Sequence, residues 1–201
     1  MARTLEHRHV EIDDPPIERF FFNDSRFAIV WLVVRLWMAY SWLDAGWEKL
    51  QSPAWTQTGA ALKGFWVNAI QQSTGARPVI AFSWYRDFLQ YLVNIQAWPW
   101  FAKLIVAGEL AAGILLLLGA FTGIGAFIGG FMNWNFMLAG SASINPLLFT
   151  LSVLIMLAWK NAGYYGLDRW LLPLLGTPWR PAFVLRPVEE AQPAEAPAPR
   201  A

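Results

Sequence analysis

Between Phe101 and Phe121 the chain reads FAKLIVAGELAAGILLLLGAF, an apolar run long enough to cross a bilayer that contains one carboxylate, Glu109. An isolated acid in hydrocarbon costs about 2.5–3.5 kcal/mol on insertion scales, so such a residue is paired, faces a cavity or carries function. The other residues must supply its partner.

The whole sequence supports a membrane reading. With 56% hydrophobic and only 14% charged residues in 201, the chain is too apolar for an ordinary soluble domain. Its 13 tryptophans suit an interfacial belt, where the ring keeps one edge in the headgroups. A formal charge of +1 carries no nucleic-acid signature. The sequence has no cysteine, which excludes disulfides, thiolate catalysis and cysteine-ligated Fe–S clusters within it. Its two histidines, His7 and His9, lie in a charged amino-terminal stretch and cannot be intramembrane haem ligands. No metal site is expected. Residues 1–26 lack the apolar core of a signal peptide, so insertion is expected through the first span.

In order, residues 1–26 read as a polar, interfacial arm broken by Pro15 and Pro16, with Phe20 to Phe22 suited to the membrane surface. Residues 27–176 read as a four-span domain, with spans at about 27–43, 100–118, 122–138 and 145–160. The first span continues through DAGWEKL to Leu50 as an emerging polar end. The connection to the second span, about fifty residues, is too long for a structureless loop in a small bundle. Within residues 54–98, two amphipathic helices either cap the bundle or lie on lipid; Leu62, Phe65, Trp66, Ala69 and Ile70 recur at helical spacing in the first of them. GAFTG makes the second and third spans antiparallel neighbours, and Gly125 and Gly129 permit close helix approach. Ser143 or Asn145 beside Pro146 opens the fourth span. After it, GYYGLDRWLLPLLG is an aromatic interfacial return. Residues 177–201 form a tail that is expected to be disordered beyond about residue 187. The fold class is therefore all-α, an integral membrane four-helix bundle with amphipathic helices between spans one and two. Basic residues concentrated in the two terminal arms predict cytoplasmic termini and an external long connection.

Three constellations follow. Arg35 with Glu109 is the first, with Asp44, Glu48 and Lys49 at its mouth. Arg35 either snorkels to one surface or pairs inside the bundle, and by depth it can meet Glu109 if it reaches outward. Such a pair is either a structural brace or a functional group. Second, Asn133, Trp134 and Asn135 either make interhelical contacts or line a cleft in which amides donate to a quinone carbonyl. Third, Tyr164, Tyr165, Asp168, Arg169 and Trp170 either anchor at the interface or form a partner-docking edge.

Taken in order, these pieces resemble a known family: an Arg in the first span followed by GWEKL, GExxxGxLLLLGxxT, GxxMNxN, Ser-Ile-Asn-Pro and AWKNAGYYGLDRWLLP. The chain resembles the DoxX/DoxD family of four-helix membrane proteins, particularly the branch related to the large subunit of thiosulfate:quinone oxidoreductase. That resemblance implies a multi-pass protein of a prokaryotic cytoplasmic membrane, in which thiosulfate is oxidised to tetrathionate and quinone accepts the electrons. Joined to the polar residues read above, it makes Glu109 and Arg35 the expected catalytic residues of a polar cleft shared with Asn133 and Asn135, with Asn133, Trp134, Asn135, Asp44, Glu48 and Lys49 expected to bind substrate or quinone. The expected partners are the lipid bilayer, from composition, and membrane quinone with a second small subunit or partner redox enzyme, from the resemblance; a homo-oligomer is left open. The alternative is a non-catalytic membrane subunit that anchors such an enzyme.

Overall fold

In the computed structural model, residues 15–72 and 78–176 are described, and among them all regular structure is helical. His7, His9 and the expected tail from residue 177 lie outside the described residues. The long elements are α1 (Ala28–Gln51), α2 (Ala60–Gln71), α3 (Ser83–Asn94), α4 (Trp98–Leu118), α5 (Thr122–Leu138), α6 (Asn145–Leu157) and α7 (Asp168–Leu174). Single turns at Pro53–Thr56 and Trp159–Ala162 follow α1 and α6.

Local chemistry explains the boundaries. Before α1, the Asp24 carboxylate accepts from the Arg26 backbone N–H at 2.9 Å and takes up its guanidinium, which holds the carboxyl below its usual range. Pro53 bars continuation of α1 through Ser52. Proline occupies the first turn of both α4 and α6, where its missing N–H costs nothing. α4 stops at Gly119, whose φ of 61° lets the chain reverse while Ala120 N–H bonds back to the Leu115 carbonyl.

α1, α4, α5 and α6 pack side by side in that order, and α1 also touches α6, so the four close around a common core. Met38, Leu116, Ala126 and Ile155, one from each helix, are fully buried in it. The expected GxxxG face is used: Gly125 lies against Leu115 and Leu116 of α4, and Gly129 against Trp42 of α1. Outside the bundle, Val33, Tyr40, Leu104, Ile124, Phe127 and Leu157 stand exposed. An apolar coat of this kind suits lipid rather than water.

The four-helix packing does not give four equivalent spans. Among the described residues two helices, over Ser25–Gln51 and Trp98–Leu118, are long and apolar enough to cross a membrane. α5 has 17 residues and α6 has 13, roughly 25 and 20 Å at 1.5 Å per residue, short of a 30 Å hydrocarbon core. α6 stops because its helix breaks at Ala158 and restarts as the Trp159–Ala162 turn.

The amphipathic helices cap the bundle. α2 and α3 bury Leu62, Trp66, Leu89 and Leu92 against one another, against α4 and beneath the end of α5, forming a second core with Ala102 and Ala139. At the opposite end the amino-terminal segment is tied down: Asn161 donates to the Asp24 carbonyl at 2.8 Å and Trp31 to the Phe21 carbonyl at 2.7 Å.

Candidate functional site

Arg35 and Glu109 do not meet. Arg35, 1% exposed, reaches along α1 to the end of α4, where its guanidinium donates to the Leu116 carbonyl, to Leu117 at 3.2 Å and to the Tyr165 carbonyl at 3.0 Å. The last carbonyls of a helix have no intrahelical partner and carry the negative end of its dipole, so a cation is well placed there. Gly119 makes the approach possible, since a Cβ at this position would collide with the guanidinium and with Gly166.

Asp168 completes this end. Its carboxylate accepts from the backbone N–H groups of Phe121 and, at 2.8 Å, Thr122, capping α5. Leu167 and Asp168 also donate their own N–H groups to the Leu118 and Gly119 carbonyls at 3.1 and 2.7 Å. The segment read as an interfacial return is thus folded into the bundle, with Asp168 fully buried while Tyr165 and Trp170 remain exposed. An Asp within an aromatic, otherwise apolar stretch was the sequence signal; Asp168 was read as part of an interfacial or docking edge, and its role as a cap was missed.

Glu109 finds Lys49 instead. The ammonium donates to Oε1 at 2.9 Å and lies 5.3 Å from the centre of the Trp55 ring, so it is held between an anion and an aromatic face. Glu109 is 1% exposed and its Oε2 has no protein partner. Asp44 and Glu48 point outward and are exposed.

The NWN triplet divides three ways. Asn133 is fully buried, and neither its amide nitrogen nor its oxygen has a protein partner. Trp134 is exposed at the surface. The Asn135 side-chain amide donates to the Phe131 carbonyl at 2.8 Å, and its backbone carbonyl accepts from the Tyr85 hydroxyl at 3.0 Å, with the side-chain oxygen 3.3 Å away. Tyr85 was not singled out from the sequence, although its spacing with Leu89 and Leu92 places all three on one α3 face. Burial pushes its hydroxyl up to about 12.

Tyr85 and Asn135 belong to the wall of an apolar cavity of about 360 Å³ between α2, α3, α4 and α5. Trp66, Phe101, Ile105, Gly108, Met132 and Phe136 form much of the remaining lining. Leu104, Phe127 and Phe131 also line it and are exposed, so the cavity opens sideways through the apolar coat. Size, apolar lining and one convergent polar pair are the features of a small-molecule pocket. The expected polar cleft containing Arg35, Glu109 and both asparagines is not formed; of these four only Asn135 lines the cavity. Among the described residues, no group of three or more His, Asp or Glu gathers as for a metal.

Residues 30–140, more than half of the chain, match the family model described as DoxX. No curated protein and no solved structure matches.

Proposed function

The chain belongs to the DoxX family of membrane proteins, and on that premise we propose that it is the quinone-reactive membrane subunit of an oxidoreductase. The observation that carries this reading is the lateral apolar cavity with its Tyr85–Asn135 pair. A quinone enters from lipid past Leu104, Phe127 and Phe131, its ring rests among the aromatic side chains, and the Tyr85 hydroxyl turns from the Asn135 carbonyl to a quinone oxygen. Reduction of the ring consumes two electrons and two protons. The electrons come from oxidation of two thiosulfate ions to tetrathionate on a partner subunit, in keeping with a chain that has no cysteine to form a sulfur adduct. Glu109 is the proton-exchanging group: it follows Gly108 and so lies one helix wall behind the cavity.

Within this reading all four bundle helices cross a prokaryotic cytoplasmic membrane, α5 and α6 with help from flanking turns, and both termini are cytoplasmic. Arg35 braces the α4–α5 turn and takes no part in the chemistry.

Purified protein in lipid nanodiscs, titrated with a short-chain ubiquinone, tests the site. Leu104→Trp at the mouth and Tyr85→Phe in the wall are each expected to weaken quinone binding at least tenfold while leaving the thermal midpoint within a few degrees. Unchanged binding in both variants rejects the cavity as the quinone site.

A second reading is favoured by the use of Arg35 and Asp168 in bracing and by the exposed aromatic surface around Tyr165 and Trp170. In it the chain is an assembly subunit that anchors a partner redox enzyme. A stoichiometric partner lost on Trp170→Ala, together with no quinone binding, selects that reading.

A further inference from the structure

Among the described residues seven buried side-chain atoms lack protein partners; two, Arg35 Nε and Thr122 Oγ1, lie at the α4–α5 turn, and the other five are distributed over the four bundle helices: Trp42 Nε1 on α1, Glu109 Oε2 on α4, both amide atoms of Asn133 on α5, and Ser152 Oγ on α6. Glycine contacts locate them relative to one another. A Cβ at Gly129 would lie 2.6 Å from Trp42 Nε1, and one at Gly130 would lie 2.9 Å from Ser152 Cβ. Asn133 is one turn beyond both glycines on the same side of α5, since residues three and four apart on a helix share a face. Gly46 is one turn beyond Trp42 on α1, and a Cβ there would lie 3.2 Å from Glu109 Cβ. α1 and α5 run in the same direction, because each is antiparallel to α4. Asn133 therefore sits across from Gly46, beside Glu109, and Lys49 stands one further turn toward the α2–α3 end.

These groups form a file about 10 Å long, seven residues of α1 at 1.5 Å per residue, from Lys49 inward to Trp42. It ends at a seal. Met38, Leu116, Ala126 and Ile155 have no exposed surface and separate it from Arg35 and Thr122 at the other end. A buried polar atom left unpaired costs about 1–3 kcal/mol, and native interiors satisfy nearly all of them with protein or with water. The partner needed here must donate to Glu109 Oε2 and the Asn133 oxygen and accept from Trp42 and the Asn133 amide. Water does both, and sites with several convergent polar partners hold it.

We infer that the bundle contains a blind half-channel, a water-binding file from Lys49 past Glu109 and Asn133 to Trp42 and Ser152, open only toward the α2–α3 end. It gives Glu109 exchange with one aqueous phase and not with the other. The inference does not depend on a quinone occupying the lateral cavity.

Because the sequence has no cysteine, single introduced thiols report alone. Asn133→Cys, Ser152→Cys and Ile155→Cys proteins, uniformly oriented in liposomes, are exposed to Ag⁺ on one face at a time. They are then unfolded, treated with a maleimide and weighed. Ag⁺ on the Lys49 face is expected to block the maleimide at Asn133→Cys and Ser152→Cys at least tenfold more than at Ile155→Cys, and Ag⁺ on the other face to block none. No block at the first two, equal block at Ile155→Cys, or block from the opposite face overturns the half-channel. Water-edited solid-state NMR of the unsubstituted protein decides the matter if a variant fails to fold. Magnetisation from water is expected at the Asn133 amide and the Trp42 indole N–H and not at the Ile155 methyls; equal transfer at all three, or none at any, overturns it.

Discussion

Lys49 and Glu109 are unequal partners: the lysine keeps 21% of its side-chain surface exposed and the glutamate only 1%. Removing the lysine leaves a buried carboxylate without compensation, whereas removing both charges replaces the pair by apolar packing. Lys49→Met is therefore expected to destabilise the protein by about 3 kcal/mol, and Lys49→Met with Glu109→Leu to recover most of that loss. Denaturant titration in mixed micelles measures both. Tyr85 gives a pH signature. Its hydroxyl is protonated in the folded protein up to about pH 12, while an unfolded tyrosine ionises near pH 10. Stability linked to Tyr85 is complete below pH 10 and is lost as pH rises from 10 through 12, because the unfolded state then binds fewer protons. Tyr85→Phe is expected to flatten that alkaline fall in a thermal-shift series. At this scale the sequence made Glu109 and the asparagines visible as costly polar groups in apolar runs. It left their partners open, because depth along a helix does not say toward which end a long side chain extends.

At the scale of elements, the α4–α5 turn is held from both sides. Arg35 satisfies carbonyls at the end of α4, Asp168 satisfies N–H groups at the start of α5, and Gly119 meets Gly166 where the two strands of loop cross. Gly119→Ala combines a positive φ with a collision against Arg35, and is expected to cost more than about 2 kcal/mol. Asp168→Ala removes a cap and is expected to cost about 1–2 kcal/mol. Hydrogen exchange localises that effect, with faster exchange at the Phe121 and Thr122 amides and little change in α3. The helices themselves were legible: the apolar run and the GAFTG turn fixed α4 and the α4–α5 hairpin closely, although Pro99 in the first turn of α4 was not read as its start. The seating of α2 and α3 was not, since an amphipathic stripe packs equally well on lipid or on protein. Their docking creates the lateral cavity, so the pocket had no single-segment signature.

For the whole molecule, the arrangement divides the bundle into a braced end around Arg35 and Asp168 and an end around the partly exposed Lys49 and its partner Glu109, separated by a fully buried apolar layer. The basic terminal arms predict that the braced end is cytoplasmic. Cysteines introduced singly at Ser25 and Gln90 test this: an impermeant maleimide applied to intact spheroplasts is expected to label Gln90→Cys and to spare Ser25→Cys until the cells are opened.

By itself the sequence determined the all-α class, the two long apolar helices and the antiparallel α4–α5 hairpin, because these depend on composition and on periodicity within a few turns. Only the tertiary structure decided which charges meet. Arg35 turned toward the free carbonyls that Gly119 uncovers, and Glu109 was left to the lysine one turn above Gly46, where close helix approach brought the two within 2.9 Å. Pairings of this kind are settled by which unsatisfied groups the packing brings within reach, and spacing along one chain does not encode that.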